Sequence, residues 1–151
     1  MLESLLAPPF AADPPVKVNV PAKTLGLILA ILGAIGALFG IFGVFALLGL
    51  SAIAAAYGGI FLLAVIGVII GEIGTVVGAW GGYQMYQEKR EGKKLAIYGV
   101  LINVVGSLIA AIGGSGGLVG WIFGALISFV IYYLIVISRF PGEPPLVATT
   151  A

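Results

Sequence analysis

The sequence predicts an all-α integral membrane protein with four transmembrane helices in two antiparallel hairpins and both termini in the cytoplasm. Of the 151 residues, 61% are hydrophobic and only 9% are charged, and the mean hydropathy is +1.22. Soluble domains carry about 25% charged residues. Two long apolar blocks, 25–87 and 95–138, flank one charged stretch. If each block crosses the membrane twice, all seven basic residues fall on one side.

The predicted organisation is a membrane domain between two cytoplasmic tails. Residues 1–24 contain five of the eight prolines, and residues 139–151 contain the other three. Because proline interrupts helices and none lies in 25–138, each apolar block can form unbroken helices. We predict four spans at about 25–50, 59–86, 95–112 and 118–138, close to or above the roughly 20 residues that cross the hydrocarbon.

The connections between the spans determine the predicted orientation. Small uncharged residues near Ser51–Gly58 join the first two spans, and Gly113–Gly117 suits a tight turn between the last two. Cytoplasmic loops carry an excess of Lys and Arg, so the charged loop Gln87–Lys94 and both tails are expected in the cytoplasm. We expect the membrane to be the plasma (inner) membrane of a prokaryote. The basic residues of the loop are Lys89, Arg90, Lys93 and Lys94.

Glycines recur along the first two spans at steps of three and four residues. Such steps keep one helix face in register, and a face without side chains lets two backbones approach closely in lipid. We predict that the two glycine faces pack against each other as an antiparallel pair, with an oligomer contact as the alternative. The predicted packing residues are Gly33, Gly36, Gly40 and Gly43 in the first span, and Gly67, Gly71, Gly74, Gly78 and Gly81 in the second.

Glu72 is the only ionisable acid or base predicted inside a span. An ionised carboxylate near the middle of a membrane is costly. We therefore expect a neutral carboxyl group that is hydrogen-bonded to Asn103, at similar depth in the third span, with Ser107 and Thr75 as further candidates. Two other interpretations stay open. Glu72 contacts a partner subunit or a lipid, or it handles protons or ions.

Glycine-lined helices with a glutamate at mid-depth resemble the proteolipid rotor subunits of rotary ATPases. The resemblance is one of features and not of an aligned motif. Those subunits have a polar loop between the glycine-rich helix and the carboxylate helix, whereas the connection near Ser51–Gly58 carries no charge. We therefore assign no family from this resemblance.

The residue types of the chain argue against catalysis. It contains no Cys and no His, which removes thiolate chemistry, the commonest metal ligand and the usual general base. No serine nucleophile with a base and no pair of catalytic carboxylates is recognisable. We expect no enzyme activity, no cofactor and no metal, and a net charge of +1 gives no reason to expect nucleic acid.

The predicted function is that of a non-catalytic accessory or structural subunit of a larger membrane complex. The expected partners are the lipid bilayer and other membrane subunits, with a hetero-complex favoured over a homo-oligomer. One alternative is a small homo-oligomeric channel or transporter with Glu72 in its path. The other is a membrane scaffold or coat protein.

Overall fold

Four long helices follow one another along the chain. The computed structural model describes residues 5–6, 8–11, 13–16, 18–54, 60–115 and 117–144, with the backbone alone for 50–54. The helices are α1 (Ala22–Ala54), α2 (Ile60–Tyr86), α3 (Glu91–Ile112) and α4 (Gly117–Ile137). All four are long and apolar enough to cross a membrane. The prediction of an all-helical chain with four helices that could span a membrane is therefore confirmed for these residues, which contain no strand.

Two helices begin earlier than predicted. α1 begins at Ala22, directly after Pro21, whose carbonyl oxygen accepts a hydrogen bond from the Leu25 amide at 3.1 Å. Proline suits this position because a residue that precedes a helix need not donate an amide proton to it. α3 begins at Glu91, where a negative charge is favourable in the first turn. Much of the predicted connection near Ser51–Gly58 lies outside the described residues.

α2 and α3 pack backbone against backbone. A Cβ atom built on any of seven glycines at this interface would lie closer than 3.0 Å to the backbone of the other helix. A repeat of seven residues keeps one face on its partner when helices wrap around each other at a shallow left-handed angle. The interlocking glycines, seven residues apart in each series, are Gly67, Gly74 and Gly81 on α2, and Gly92, Gly99 and Gly106 on α3 with Gly113 directly after its end.

The predicted pairing of the first two glycine faces with each other is therefore wrong. The glycine face of α2 packs on α3, because α3 has its own glycines at the matching spacing. Gly71 and Gly78 belong to the same face, and they receive Gly106 and Gly99 of α3. Gly67 lies against Ala110 and Gly81 against Ala96, so the two helices are antiparallel.

α1 packs on an adjacent face of α2. The facing pairs are Gly26 with Gly82, Gly33 with Ala79, Gly36 with Thr75, and Gly40 with Glu72. These pairs run in opposite directions along the two helices, so α1 and α2 are antiparallel. A Cβ atom on Gly43 would meet no described atom within 4 Å. Gly43, one of the predicted packing residues, therefore has no close neighbour among the described residues.

Both tails and the loop between α2 and α3 meet at one end of the helices, which we call the tail end. The amide of Ala22 donates to the carbonyl of Arg139 at 2.8 Å, and the Arg139 amide donates to Val20 at 2.9 Å. Lys23 forms an ion pair with Glu88 at 3.0 Å. Of the seven basic residues, all belong to the tail end except Lys17, which is outside the described residues.

The N-terminal tail folds onto the ends of the helices. A short 3-10 helix, Pro9–Ala11, places the Phe10 ring 5.8 Å from the ring of Tyr133, in a stacked arrangement. The Tyr132 hydroxyl donates to the carbonyl of Leu5 at 2.6 Å. The Tyr133 hydroxyl donates to the Val16 carbonyl at 2.8 Å and accepts from the Val16 amide at 3.1 Å. Two aromatic side chains of α4 thus hold the proline-rich tail in place.

The main apolar core lies at the same end of the molecule. It is closed by side chains of all four helices and of the segment after α4, so the helices are packed most fully at the tail end. The opposite end, which we call the far end, contains the connection between α3 and α4. The core residues are Ala22, Leu25, Met85, Ala96, Ile97, Tyr132, Ile135, Val136 and Phe140.

Candidate functional site

A cleft with a partly polar lining opens between the helices on the far-end side of this core. Its volume is about 520 Å³, and its lining residues come from α2, α3 and α4. A smaller cavity of about 230 Å³, lined by all four helices, adjoins it and shares Thr75, Asn103 and Ser128. The α2–α3 pair forms the floor of this space and α4 forms a wall, whereas α1 lines only the smaller cavity. The polar side chains of the larger cavity are Glu72, Thr75, Asn103, Ser107, Ser115, Trp121 and Ser128.

Hydrogen bonds between α2 and α3 fix the polar floor of the cleft. The Asn103 amide nitrogen donates to the carbonyl of Gly71 at 3.1 Å and to the hydroxyl of Thr75 at 3.0 Å. The Thr75 hydroxyl donates in turn to the Gly71 carbonyl at 3.1 Å. The close approach at Gly74 brings Asn103 near enough to α2 for these bonds to form. Asn103 is thus a bridge between the two floor helices.

Glu72 does not form the predicted hydrogen bond with Asn103. Its carboxyl group lies against Gly40 of α1, where a Cβ atom would collide with it. Its Oε1 atom is buried and has no hydrogen-bond partner among the described residues. The two further candidates also bond elsewhere, since Thr75 bonds to Gly71 and Ser107 donates to the Val104 carbonyl at 2.9 Å. The predicted partners of Glu72 are therefore wrong, and its carboxyl lies between α1 and the cleft.

The reason for this error is the direction in which Glu72 points around α2. Successive residues of an α-helix are about 100° apart. The glycine face that carries Gly71 and Gly74 packs on α3, so the neighbouring Glu72 is turned toward α1. Asn103 and Glu72 lie at a similar height along the helices, but Asn103 contacts the glycine face of α2, whereas Glu72 lies on the face of α2 toward α1.

The α4 wall of the cleft is open to close approach. A Cβ atom on Gly120 or on Gly124 would meet no described atom within 4 Å, and both glycines line the cleft. Trp121, between them in sequence, donates its indole proton to the Val104 carbonyl at 3.2 Å and so ties this wall to α3. The far-end half of α4 therefore has room for another backbone beside it.

The basic loop is partly structural. Lys93 donates to the carbonyl oxygens of Val136 at 2.7 Å and Ser138 at 2.9 Å, at the last turn of α4. Arg90 lies 3.8 Å from the Glu143 carboxylate. Lys89 and Lys94 are exposed. Of the four basic residues of the loop, only Lys93 is partly buried, and the other three are exposed.

Several residues important to packing were not among the predicted positions. Gly26 and Gly82 form a close contact between α1 and α2, and Gly92 lies against the last turn of α2. The seven-residue spacing of Gly92, Gly99, Gly106 and Gly113 is the signal that could have identified α3 as the partner of α2. The aromatic anchoring of the N-terminal tail has no comparable signal in the sequence.

Comparison with known proteins identifies no relative. The chain matches no family model, no curated protein and no solved structure. The functional conclusions below therefore depend on the geometry of the helices, the tail end and the cleft.

Proposed function

We propose that this protein is a non-catalytic accessory or structural subunit of a larger membrane complex. The observation that supports this most is the one-sided packing of the outer helices. α2 and α3 are closed against each other along their length, whereas the described residues leave much of the surface of α1 and α4 uncovered. Phe39 and Phe42 of α1 are 70% and 64% exposed, and Phe123 of α4 is 65% exposed. Lipid covers such surfaces well, and so do the helices of other subunits.

We further propose two antiparallel hairpins with both termini in the cytoplasm, in the plasma membrane of a prokaryote. Support for the orientation comes from the position of the basic residues. The loop residues Lys89–Lys94 share the tail end with Lys23 and Arg139, and the excess of Lys and Arg marks the cytoplasmic side of a membrane protein. The far end contributes the described turn residues Gly113–Ser115, which carry no charge.

A small channel or transporter is the second candidate, and one observation favours it. Polar side chains line the cleft from Glu72 at mid-depth to Ser115 at the far end. The core cluster closes the same space toward the tail end, where Met85, Ile97 and Ile135 are fully buried. A path through the protein would need this core to open, so the accessory subunit is the better supported function.

Native mass spectrometry of the protein, purified in mild detergent from its own membrane through an affinity tag, tests the proposed function. The proposal predicts a complex that contains at least one different polypeptide in fixed stoichiometry. Membranes with the untagged protein serve as the control for contaminants. A closed ring of this chain alone would favour the channel, and a monomer alone would contradict the proposal.

A further inference from the structure

We propose that the cleft beside α4, above the α2–α3 pair, receives a transmembrane helix of a different protein, and that a basic side chain of this helix pairs with Glu72. This inference rests on the proposed function, since it names the chemistry of the partner subunit. It combines three features of the cleft: an acceptor group without a partner, an open glycine wall, and a shape that follows the helix axes.

The carboxyl group of Glu72 lacks the cation or hydrogen-bond donor that would stabilise it in the cleft. The Glu72 Oε1 atom is buried without a partner among the described residues. The amide nitrogen of Asn103 is already engaged with Gly71 and Thr75. Acidic side chains within a membrane are stabilised by pairing with basic groups, because solvation by lipid tails cannot replace hydration. A Lys or Arg side chain at the same depth would supply this pairing.

The cation must come from outside this chain. No Lys, Arg or His lies in 24–88 or in 95–138. Lys23 is paired with Glu88 at the tail end, and Lys93 binds the last turn of α4. A second copy of the protein therefore has no basic side chain at the depth of Glu72. The lack of such a side chain in a second copy favours a hetero-complex over a homo-oligomer.

A lipid amine is an unsuitable source because of depth. Glu72 lies 12 residues after the start of α2 and 14 before its end, so it is about 18–21 Å from either end of the helix. Amine groups of phospholipids lie in the headgroup region, outside a hydrocarbon core that is about 30 Å thick. A side chain on a membrane-spanning helix reaches this depth without leaving the hydrocarbon.

The shape of the cleft fits a helix that runs along α4. The lining residues on α4 extend from Gly117 to Ser128 in the larger cavity and continue to Ile135 in the smaller one. This distance is about 27 Å along the helix axis. Gly120 and Gly124, four residues apart, are open to the approach of a second backbone, and such small-residue pairs are a common contact between helices in membranes.

The test uses the full chain in phosphatidylcholine vesicles with a synthetic transmembrane peptide as the probe. The peptide consists of Leu and Ala with one central Lys, and the control peptide has Leu at that position. The protein carries a donor dye on a Thr149→Cys variant, which is clean because the chain lacks Cys. Energy transfer should reveal an association of the Lys peptide that is about tenfold stronger than that of the Leu peptide, within the range expected for a polar interhelical contact.

Variants of the cleft distinguish the proposed ion pair between Glu72 and the peptide Lys from unspecific binding. Glu72→Gln should reduce the association of the Lys peptide to the level measured for the Leu peptide. Gly124→Leu should prevent binding of the Lys peptide. Gly43→Leu, at an open glycine outside the cleft lining, should leave this binding unchanged. A peptide with a central Asp should bind the Glu72→Lys variant better than it binds the native chain.

Equal binding of the Lys and Leu peptides to the native chain would overturn the inference, and so would a failure of the charge exchange. Self-association of the native chain that Gly124→Leu abolishes would assign the cleft to a second copy and also overturn it. A different result bears on the proposed function as an accessory subunit. A native hetero-complex that survives both Glu72→Gln and Gly124→Leu would leave the accessory function intact while the inference fails.

Discussion

Lys93 is the basic residue whose role in the structure is most direct. Its ammonium group donates to two carbonyl oxygens, of Val136 and Ser138, where α4 ends. The last carbonyl groups of a helix lack partners within the helix, and a positive charge there also interacts favourably with the helix dipole. Lys93 therefore joins the beginning of α3 to the end of α4.

Replacement of Lys93 by Met should remove these bonds and keep most of the aliphatic stem. We expect the free energy of unfolding to fall by about 1.5–3 kcal/mol, the scale of hydrogen bonds that involve a charged group. Unfolding by SDS in mixed micelles, followed by circular dichroism, measures this change. Lys94→Met is the matched control, because Lys94 is exposed. Equal stability of the two variants would contradict the capping role.

Residue positions around a helix are harder to predict than positions along it. Glu72 lies on α2 and Asn103 on α3, and both residues line the cleft. Their predicted hydrogen bond was wrong, because it required knowing which neighbour each helix face meets. The pairing of Glu72 with Gly40 depends on the α1 face that packs on α2, and no local pattern identifies that choice.

At the scale of elements, the α2–α3 pair is the most closely fitted part of the molecule. Helices in lipid gain no hydrophobic driving force from pairing, so close van der Waals contact becomes important. The sequence predicted that the glycines of α2 form a contact face. It predicted the glycine face of α1 as the partner, which was wrong, since α1 and α3 both carry regularly spaced glycines and only the seven-residue match favours α3.

Two glycines that face each other at this interface should respond differently to Ala. A Cβ atom on Gly99 would collide with the backbone at Gly78, whereas one on Gly78 would lie 3.7 Å from the Gly99 Cα, an ordinary contact. Gly99→Ala should destabilise the protein by about 1–3 kcal/mol through overpacking. Gly78→Ala should be neutral or stabilise it by up to about 1 kcal/mol, since Ala favours helix.

The same SDS unfolding assay compares the Gly78 and Gly99 variants. Equal tolerance of both would mean that the α2 and α3 backbones are farther apart than the structure places them. A substitution at Ala64 would not serve as a lipid-facing control for these variants. Its sequence surroundings are ordinary apolar residues, but its side chain is only 2% exposed and faces Gly113. Buried small residues and lipid-facing ones have similar sequence contexts in a chain this apolar.

At the scale of the whole molecule, the tail end is closed and capped by polar contacts, and the cleft opens toward the far end among the described residues. The N-terminal tail, the α2–α3 loop and the segment after α4 are connected by backbone hydrogen bonds and ion pairs. The four long helices could be predicted from apolar length, although α1 and α3 begin earlier than predicted. The folding of the tail onto Tyr132 and Tyr133 could not, because proline-rich segments without hydrophobic periodicity usually remain extended.

The arrangement of four spans with the basic end in the cytoplasm is the claim on which the assignment of partners and orientation depends. Cysteine labelling in intact cells tests it most directly, with Lys89→Cys and Ser115→Cys variants, both at exposed positions of a chain without native Cys. An impermeant maleimide should label Ser115→Cys in intact cells and Lys89→Cys only after permeabilisation. Labelling of Lys89→Cys in intact cells, with Ser115→Cys protected, would contradict the orientation.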